Sequence, residues 1–248
     1  MKRMVTLAAV LLAPSLALGQ ESLLPSQESL RAGPIGASSR NWTLELNGGR
    51  FRPPIDEEPG LKGSPYNDIF GKKSMWLFEG ELDYKLVDLL GPLSLGLAGG
   101  YGVVWGRGIA ASDGKPAPDT TTLSTVPVRL LAVYRFQWLN NALGIPLVPF
   151  VKAGMAYTFW WITNGAGDVA KFGENKALGG KWGYELAGGL AFELNFIDRE
   201  AARDLDQQWG VNSVLLQAQY ARLTADNFGG EGMDLSDDAW LFGLAFEF

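Results

Sequence analysis

The sequence contains no cysteine and no histidine. Without cysteine, no disulfide framework can brace the chain, and no thiolate is available as a nucleophile or metal ligand. Without histidine, Ser-His and Asp-His hydrolytic machinery is excluded, as is every metal site built on imidazole. Carboxylate and carbonyl oxygens remain as protein metal ligands. Long apolar runs are missing too. Past the first twenty residues, no stretch approaches the roughly 18 apolar residues of a spanning helix. An excess of basic residues is also lacking, since the formal charge is −6. That leaves no footprint for nucleic acid.

What is present points to strands. The chain is 47% hydrophobic and 12% aromatic, with 9 Trp, and it carries 32 glycines. With no long runs, so many apolar residues must be spread by alternation. The glycines suit an all-β chain with many bends.

The beginning of the chain reads as an export signal. Lys2 and Arg3 precede an apolar stretch over 5–17, interrupted by Thr6, Pro14 and Ser15. Ala17-Leu18-Gly19 places small residues at the two positions a signal peptidase reads. Cleavage after Gly19 would leave 248 − 19 = 229 residues. No cysteine follows, so a lipoprotein signal is excluded. Residues 20–40, rich in Ser, Gly and Pro, read as a flexible periplasmic lead-in. A barrel over 41–248 follows.

Period-two patterning predicts eight strands, at about 41–51, 74–87, 93–105, 122–138, 148–162, 182–196, 211–223 and 238–248. Each reaches the roughly 9–11 residues that a tilted membrane strand needs. The connections alternate in length. Residues 52–73, 106–121, 163–181 and 224–237 are long, 88–92 and 139–147 are short, and 197–210 is intermediate. Long extracellular loops and short periplasmic turns produce that alternation in an outer-membrane barrel. The intermediate connection predicts one short periplasmic helix. Asp198 is placed to cap it, Ala201, Ala202, Leu205 and Trp209 fall near one face, and Gly210 stops it.

The second strand defines the faces. Trp76, Phe78, Leu82, Tyr84 and Leu86 share one side, and Glu79, Glu81, Asp83 and Lys85 share the other. In the last strand Trp240, Phe242, Leu244, Phe246 and Phe248 alternate with Leu241, Gly243, Ala245 and Glu247. A soluble barrel would turn the apolar side inward. Two features place it outward, toward lipid. The opposite face is small or charged, as at Gly96, Ala98, Gly100 and Gly102, which suits a narrow interior. The aromatics also fall at two heights: Trp76, Trp105, Trp161 and Trp240 at the loop ends, Tyr84 and Trp138 at the turn ends. Rings with an apolar body and one polar atom favour the two membrane interfaces. Pro127 cannot donate a ladder hydrogen bond, so it is expected near the rim of the second loop or at a bulge.

The run ending in Phe242, Leu244, Phe246 and Phe248 resembles the assembly signal of outer-membrane proteins. That resemblance implies the barrel-assembly machinery as a partner during biogenesis. Eight strands in this size resemble small barrels of the OmpA, OmpX and OmpW type. The segments Ala202-Arg203-Asp204-Leu205-Asp206 and Gly210-Val211-Asn212 are similar to a myxobacterial-type outer-membrane barrel family of unassigned role.

With the apolar face outward, the lumen would hold Glu45, Glu79, Glu81, Asp83, Lys85, Arg129, Arg135, Lys152, Glu185, Glu193 and Glu247. Opposite charges there should pair, because an unpaired buried charge costs several kcal/mol. Eight strands leave an interior just wide enough for side chains, which predicts a salt-bridged plug. Carboxylates at alternate strand positions stack along one wall rather than converging on a point, so catalysis ranks last. The expectation is a monomeric all-β outer-membrane protein without cofactor or metal, an eight-stranded antiparallel transmembrane β-barrel whose lipid-facing wall surrounds a plugged lumen. Its expected role is structural or surface interaction. The alternative is a narrow channel or transporter for small or hydrophobic solutes.

Overall fold

A computed structural model describes residues 41–248 apart from 59, 109–117, 173, 198 and 231. The expected signal, the lead-in and the proposed cap Asp198 lie outside the described residues. Ten strands are described: β1 (Trp42–Phe51), β2 (Met75–Asp88), β3 (Pro92–Gly106), β4 (Thr121–Arg135), β5 (Leu147–Thr163), β6 (Lys171–Phe172), β7 (Asn175–Lys176), β8 (Leu178–Glu193), β9 (Ser213–Thr224) and β10 (Asp237–Glu247). Eight of them form a closed barrel in the order β1-β10-β9-β8-β5-β4-β3-β2. β6 and β7 form a separate small hairpin in the third loop.

Every barrel pairing is antiparallel. β1 closes on β10 from Thr43 opposite Glu247 to Arg50 opposite Trp240. Closure leaves no strand edge with unpaired backbone groups, the condition for a sheet to stand in hydrocarbon. Alternation then sorts the side chains. Phe78, Leu82, Leu97, Leu130, Val151, Leu186, Leu216 and Phe242 are exposed on the outer wall. Glu45, Glu79, Glu81, Asp83, Arg129, Arg135, Lys152 and Glu185 are buried inside. No helix among the described residues is long and apolar enough to cross a membrane.

Among the described residues three short α-helices appear where one helix was expected, besides single 3-10 turns at Ile55–Glu57 and Leu194–Phe196. α3 (Arg199–Trp209) fills the predicted place. α1 (Pro65–Phe70) lies in the first loop and α2 (Trp138–Leu143) in the second turn. α2 begins at Trp138, so the expected fourth strand was three residues too long and Trp138 belongs to the turn. Gly144, in the left-handed region, closes α2 with its amide on Asn140. α1 takes its N-terminal hydrogen bonds from a distance. The Tyr66 and Asn67 amides donate to the Asp56 carboxylate at 2.7 and 3.0 Å.

Pro127 is not at the rim. It is buried in the middle of β4, opposite Thr158 of β5. The ladder on its other side lapses: β3 and β4 pair at Gly99 with Val128 and resume at Gly102 with Thr125. The missing donor is thus accommodated by an interruption inside the wall instead of above it.

Side chains of the first and fourth loops fold down into the barrel mouth. Phe51, Ile55, Tyr66, Phe70 and Met75 pack with Leu77, Val104, Leu123, Ala225, Leu235 and Leu241 in one buried apolar cluster. Burial pushes the Tyr66 phenol up to about 12, and its hydroxyl donates to the Lys73 carbonyl at 2.9 Å.

Candidate functional site in the barrel lumen

Below the apolar plug the lumen carries two ionic tiers. The tier nearer the loops is centred on Arg129. It donates to Glu79 and to Glu185 at 2.5 Å each, and all three side chains are about 2% exposed or less. Arg129 must cross a neighbouring strand on either side to reach them. Its paired residues are Ala98 on β3 and Ala156 on β5, and small side chains there leave the guanidinium a clear path.

The tier nearer the turns holds Glu45, Glu81, Asp83, Arg135 and Lys152. Glu45 and Glu81 stand directly opposite each other on β1 and β2. Two like charges so placed repel. Lys152 resolves the conflict by donating to Glu45 at 2.6 Å and to Glu81 at 2.7 Å. Arg135 bonds to Glu45 as well and to Asp83 at 2.8 Å. Asp83 faces Gly96 on β3, where a Cβ would come within 2.4 Å of its Oδ1. A bulkier residue at 96 would push the carboxylate away from Arg135. Gln217 completes the tier, donating to Glu45 at 2.6 Å and to Asn47 at 2.8 Å.

Oxygens of Glu45, Glu81 and Asp83 lie within 4.8 Å of one another. This convergence differs from the expected stacking along one wall, because β1 contributes one of the three. Arg135 and Lys152 already neutralise two of the three charges, so the cluster is built as an ion-pair network. Between the tiers, Leu131 and Val133 pack on Ala98. Beside the second tier, Val148, Phe150, Ala191, Leu215 and Ala245 form an apolar cluster, with Ala245 opposite Glu45 and Phe150 opposite Arg135 in register.

Three residues expected in the network lie toward the turn end of the lumen. Lys85 is partly exposed at the turn-end mouth of the lumen, where it lines a pocket with Thr43, Ser94 and Glu247 and pairs with Asp88 at 3.7 Å. Glu193 accepts from Asn140 of α2 and from Ser213 at 3.1 Å. Glu247 is buried at the turn end and accepts from Gln137 at 2.9 Å. Asn47, Gln217 and Gln219 are lumen residues that a search for charge passed over, although their alternation places them inside. Lys181 is also buried. It escaped notice because β8 starts at Leu178, four residues before the expected start, behind Gly179 and Gly180.

On the outside, Trp76, Tyr84, Trp105, Trp138 and Trp240 are exposed. Trp161 is half-buried beside Tyr101, with ring centroids 6.3 Å apart. Phe242 and Leu244 are exposed on the wall, and Phe246 and Phe248 are partly covered by neighbours.

A closed antiparallel barrel with an apolar outer wall, two aromatic heights and an ionic interior is an integral bacterial outer-membrane β-barrel. No protein-family model matches the chain. No curated protein matches it. Solved structures similar to it include Neisserial surface protein A, at 12% identity over 84% of this chain and 97% of that one, with a TM-score of 0.43. Outer membrane protein OprG of Pseudomonas aeruginosa shares 12% identity over 85% and 96%, with a TM-score of 0.45. The outer membrane enzyme PagL shares 11% identity over 83% and 97%, with a TM-score of 0.36. These likenesses are distant, and the assignment rests on the barrel's own polarity.

Proposed function

We propose that this chain is a non-catalytic structural or surface-interaction barrel of the outer membrane, with a lumen closed to ions. The observation that supports this most directly is the stack inside the wall, an apolar loop plug above two ionic tiers. Each tier links strands on different sides of the lumen. A passing ion would have to displace buried, mutually paired charges, and breaking such pairs costs about 3–5 kcal/mol each. The carboxylates are engaged by Arg129, Arg135 and Lys152, and with no histidine or cysteine in the chain none is paired with a customary general base. A closed barrel has no edge strand to pair with a second copy, which fits a monomer. Assembly by the barrel-assembly machinery belongs to the same reading.

The test is planar-bilayer recording of the purified protein. Silence across the voltage range supports a closed lumen, and stable unitary currents overturn it. One observation favours the second reading, a binder or transporter of small hydrophobic solutes. An apolar cleft of about 280 Å³ opens at the loop end between Leu61, Ile69, Leu123, Ile162 and Met233. Uptake of an uncharged alkane by proteoliposomes, lost when Leu123→Trp fills the cleft, would establish that reading over the first.

A further inference from the structure

The rim of the barrel above β1, β2 and β3 carries a charge pattern unlike the rest of the wall. Arg50, Lys72, Lys73 and Arg107 are all exposed there. Arg50 points outward, paired in register with Trp76 on one side and Trp240 on the other. Its guanidinium lies 3.9 Å over the Trp76 ring. Lys73 is tied to the same sector, its ammonium donating to the Trp105 carbonyl at 3.0 Å. Arg107 follows the end of β3, and its amide donates to the Ile69 carbonyl at 2.9 Å. The acid that α1 offers nearby is Asp68. Asp56 is occupied by the amides of Tyr66 and Asn67.

The β9–β10 sector provides the contrast. Arg222 is held there by both oxygens of Asp238, each at 2.7 Å. That arginine is already neutralised by a carboxylate of the same wall, whereas Arg50 lies over an indole face.

We propose that the loop-end rim of β1, β2 and β3 binds the phosphate groups of anionic lipid headgroups, with Arg50, Lys73 and Arg107 as the contacting cations. The proposal rests on the reading that the outer wall faces lipid. The height fits. Arg50 is level with Trp76 and Val103, and Arg107 lies four residues beyond Val103. Four steps of roughly 3.3 Å, shortened by strand tilt, give about 9 Å. The polar layer on one side of a bilayer is about 5–8 Å thick. Arg50, at the aromatic height, and Arg107, at the outer limit of that layer, therefore bracket the level of the lipid phosphates, above the exposed Phe78 and Tyr101. A guanidinium fixed flat on an aromatic ring keeps its donor edge free for a phosphate oxygen, and indole itself anchors at this depth. Outward direction selects a lipid headgroup over a soluble anion.

The experiment uses the full protein in phosphatidylcholine bilayers, with spin-labelled phosphatidic acid or spin-labelled phosphatidylcholine as probe. Electron spin resonance measures how much of each is motionally restricted by the protein. The expected result is a preference for phosphatidic acid of roughly fivefold per engaged cation. The triple variant Arg50→Gln, Lys73→Gln, Arg107→Gln should lose it, and Arg50→Gln alone should lose part. The hairpin variant Lys171→Gln, Lys176→Gln should keep it. Excess inorganic phosphate should leave it unchanged. Equal restriction of the two lipids by the wild type overturns the proposal. So does a preference that survives the triple change, disappears in the hairpin variant, or is competed away by inorganic phosphate. A complete lack of restricted lipid would instead overturn the lipid-facing wall. Retained gel mobility of unheated samples shows that each variant is folded.

Discussion

Arg129 is the cation to which both Glu79 and Glu185 are bonded, in surroundings that exclude water. Its loss would leave two carboxylates buried without a partner. Arg129→Met is expected to destabilise the barrel by about 3–5 kcal/mol. Denaturant unfolding in lipid vesicles, followed by tryptophan fluorescence, measures this. Replacing all three groups, as in Arg129→Met with Glu79→Leu and Glu185→Leu, should recover most of that loss, since an apolar substitute for a buried ion triad is often neutral. A second residue-scale outcome concerns Tyr66, whose phenol burial pushes up to about 12 from an ordinary value near 10. A raised phenol contributes stability fully below pH about 10, and that contribution is lost as pH rises through about 12. The difference in phenolate absorbance between wild type and Tyr66→Phe should therefore titrate above the ordinary phenol value near 10. Alternation places Glu45, Glu79, Glu81, Asp83, Arg129, Arg135, Lys152 and Glu185 on one face, where they are buried, because a strand's parity assigns every second residue to one side; Lys181 lies before the expected start of its strand. Gln217 shares the inward parity but no charge singles it out, because its value here lies in two hydrogen-bond donors.

Strands were readable and loops were not, and the reason is the range of the forces. β2 and β10 announce themselves within ten residues of sequence, by local alternation. The plug made by Phe51, Tyr66, Phe70 and Leu235 depends on the fourth loop meeting the first, which no local pattern records. Pro127 failed the local rule for another reason. The rule asks where a donor can be dispensed with, and the β3–β4 ladder supplies such a place in mid-wall. Glycine sets a second element-scale limit, at the β8–β9 seam. A Cβ on Gly183 would fall 1.6 Å from the Thr224 carbonyl oxygen, a contact only strand separation could relieve. Gly99 meets nothing within 4 Å. Gly183→Val is expected to cost about 1–3 kcal/mol or more, and Gly99→Val close to nothing, in the same unfolding assay.

As a whole, the molecule is a closed wall around a filled interior. An unheated sample in detergent should migrate differently from a boiled one, and identical migration would contradict closure. Tryptophan fluorescence and circular dichroism should report one coincident transition, because the tiers tie together strands from across the barrel. Glu45 makes this concrete. It bonds Lys152, 107 residues away, and Gln217, 172 residues away. While the sheet is still open, those groups have no partners and hydrocarbon offers none. A half-assembled barrel would thus carry bare charges into lipid, and every intermediate with some strands inserted is penalised. Insertion and closure are coupled into one late event with a high barrier in both directions. The barrel, once shut, persists for kinetic reasons as much as for thermodynamic ones.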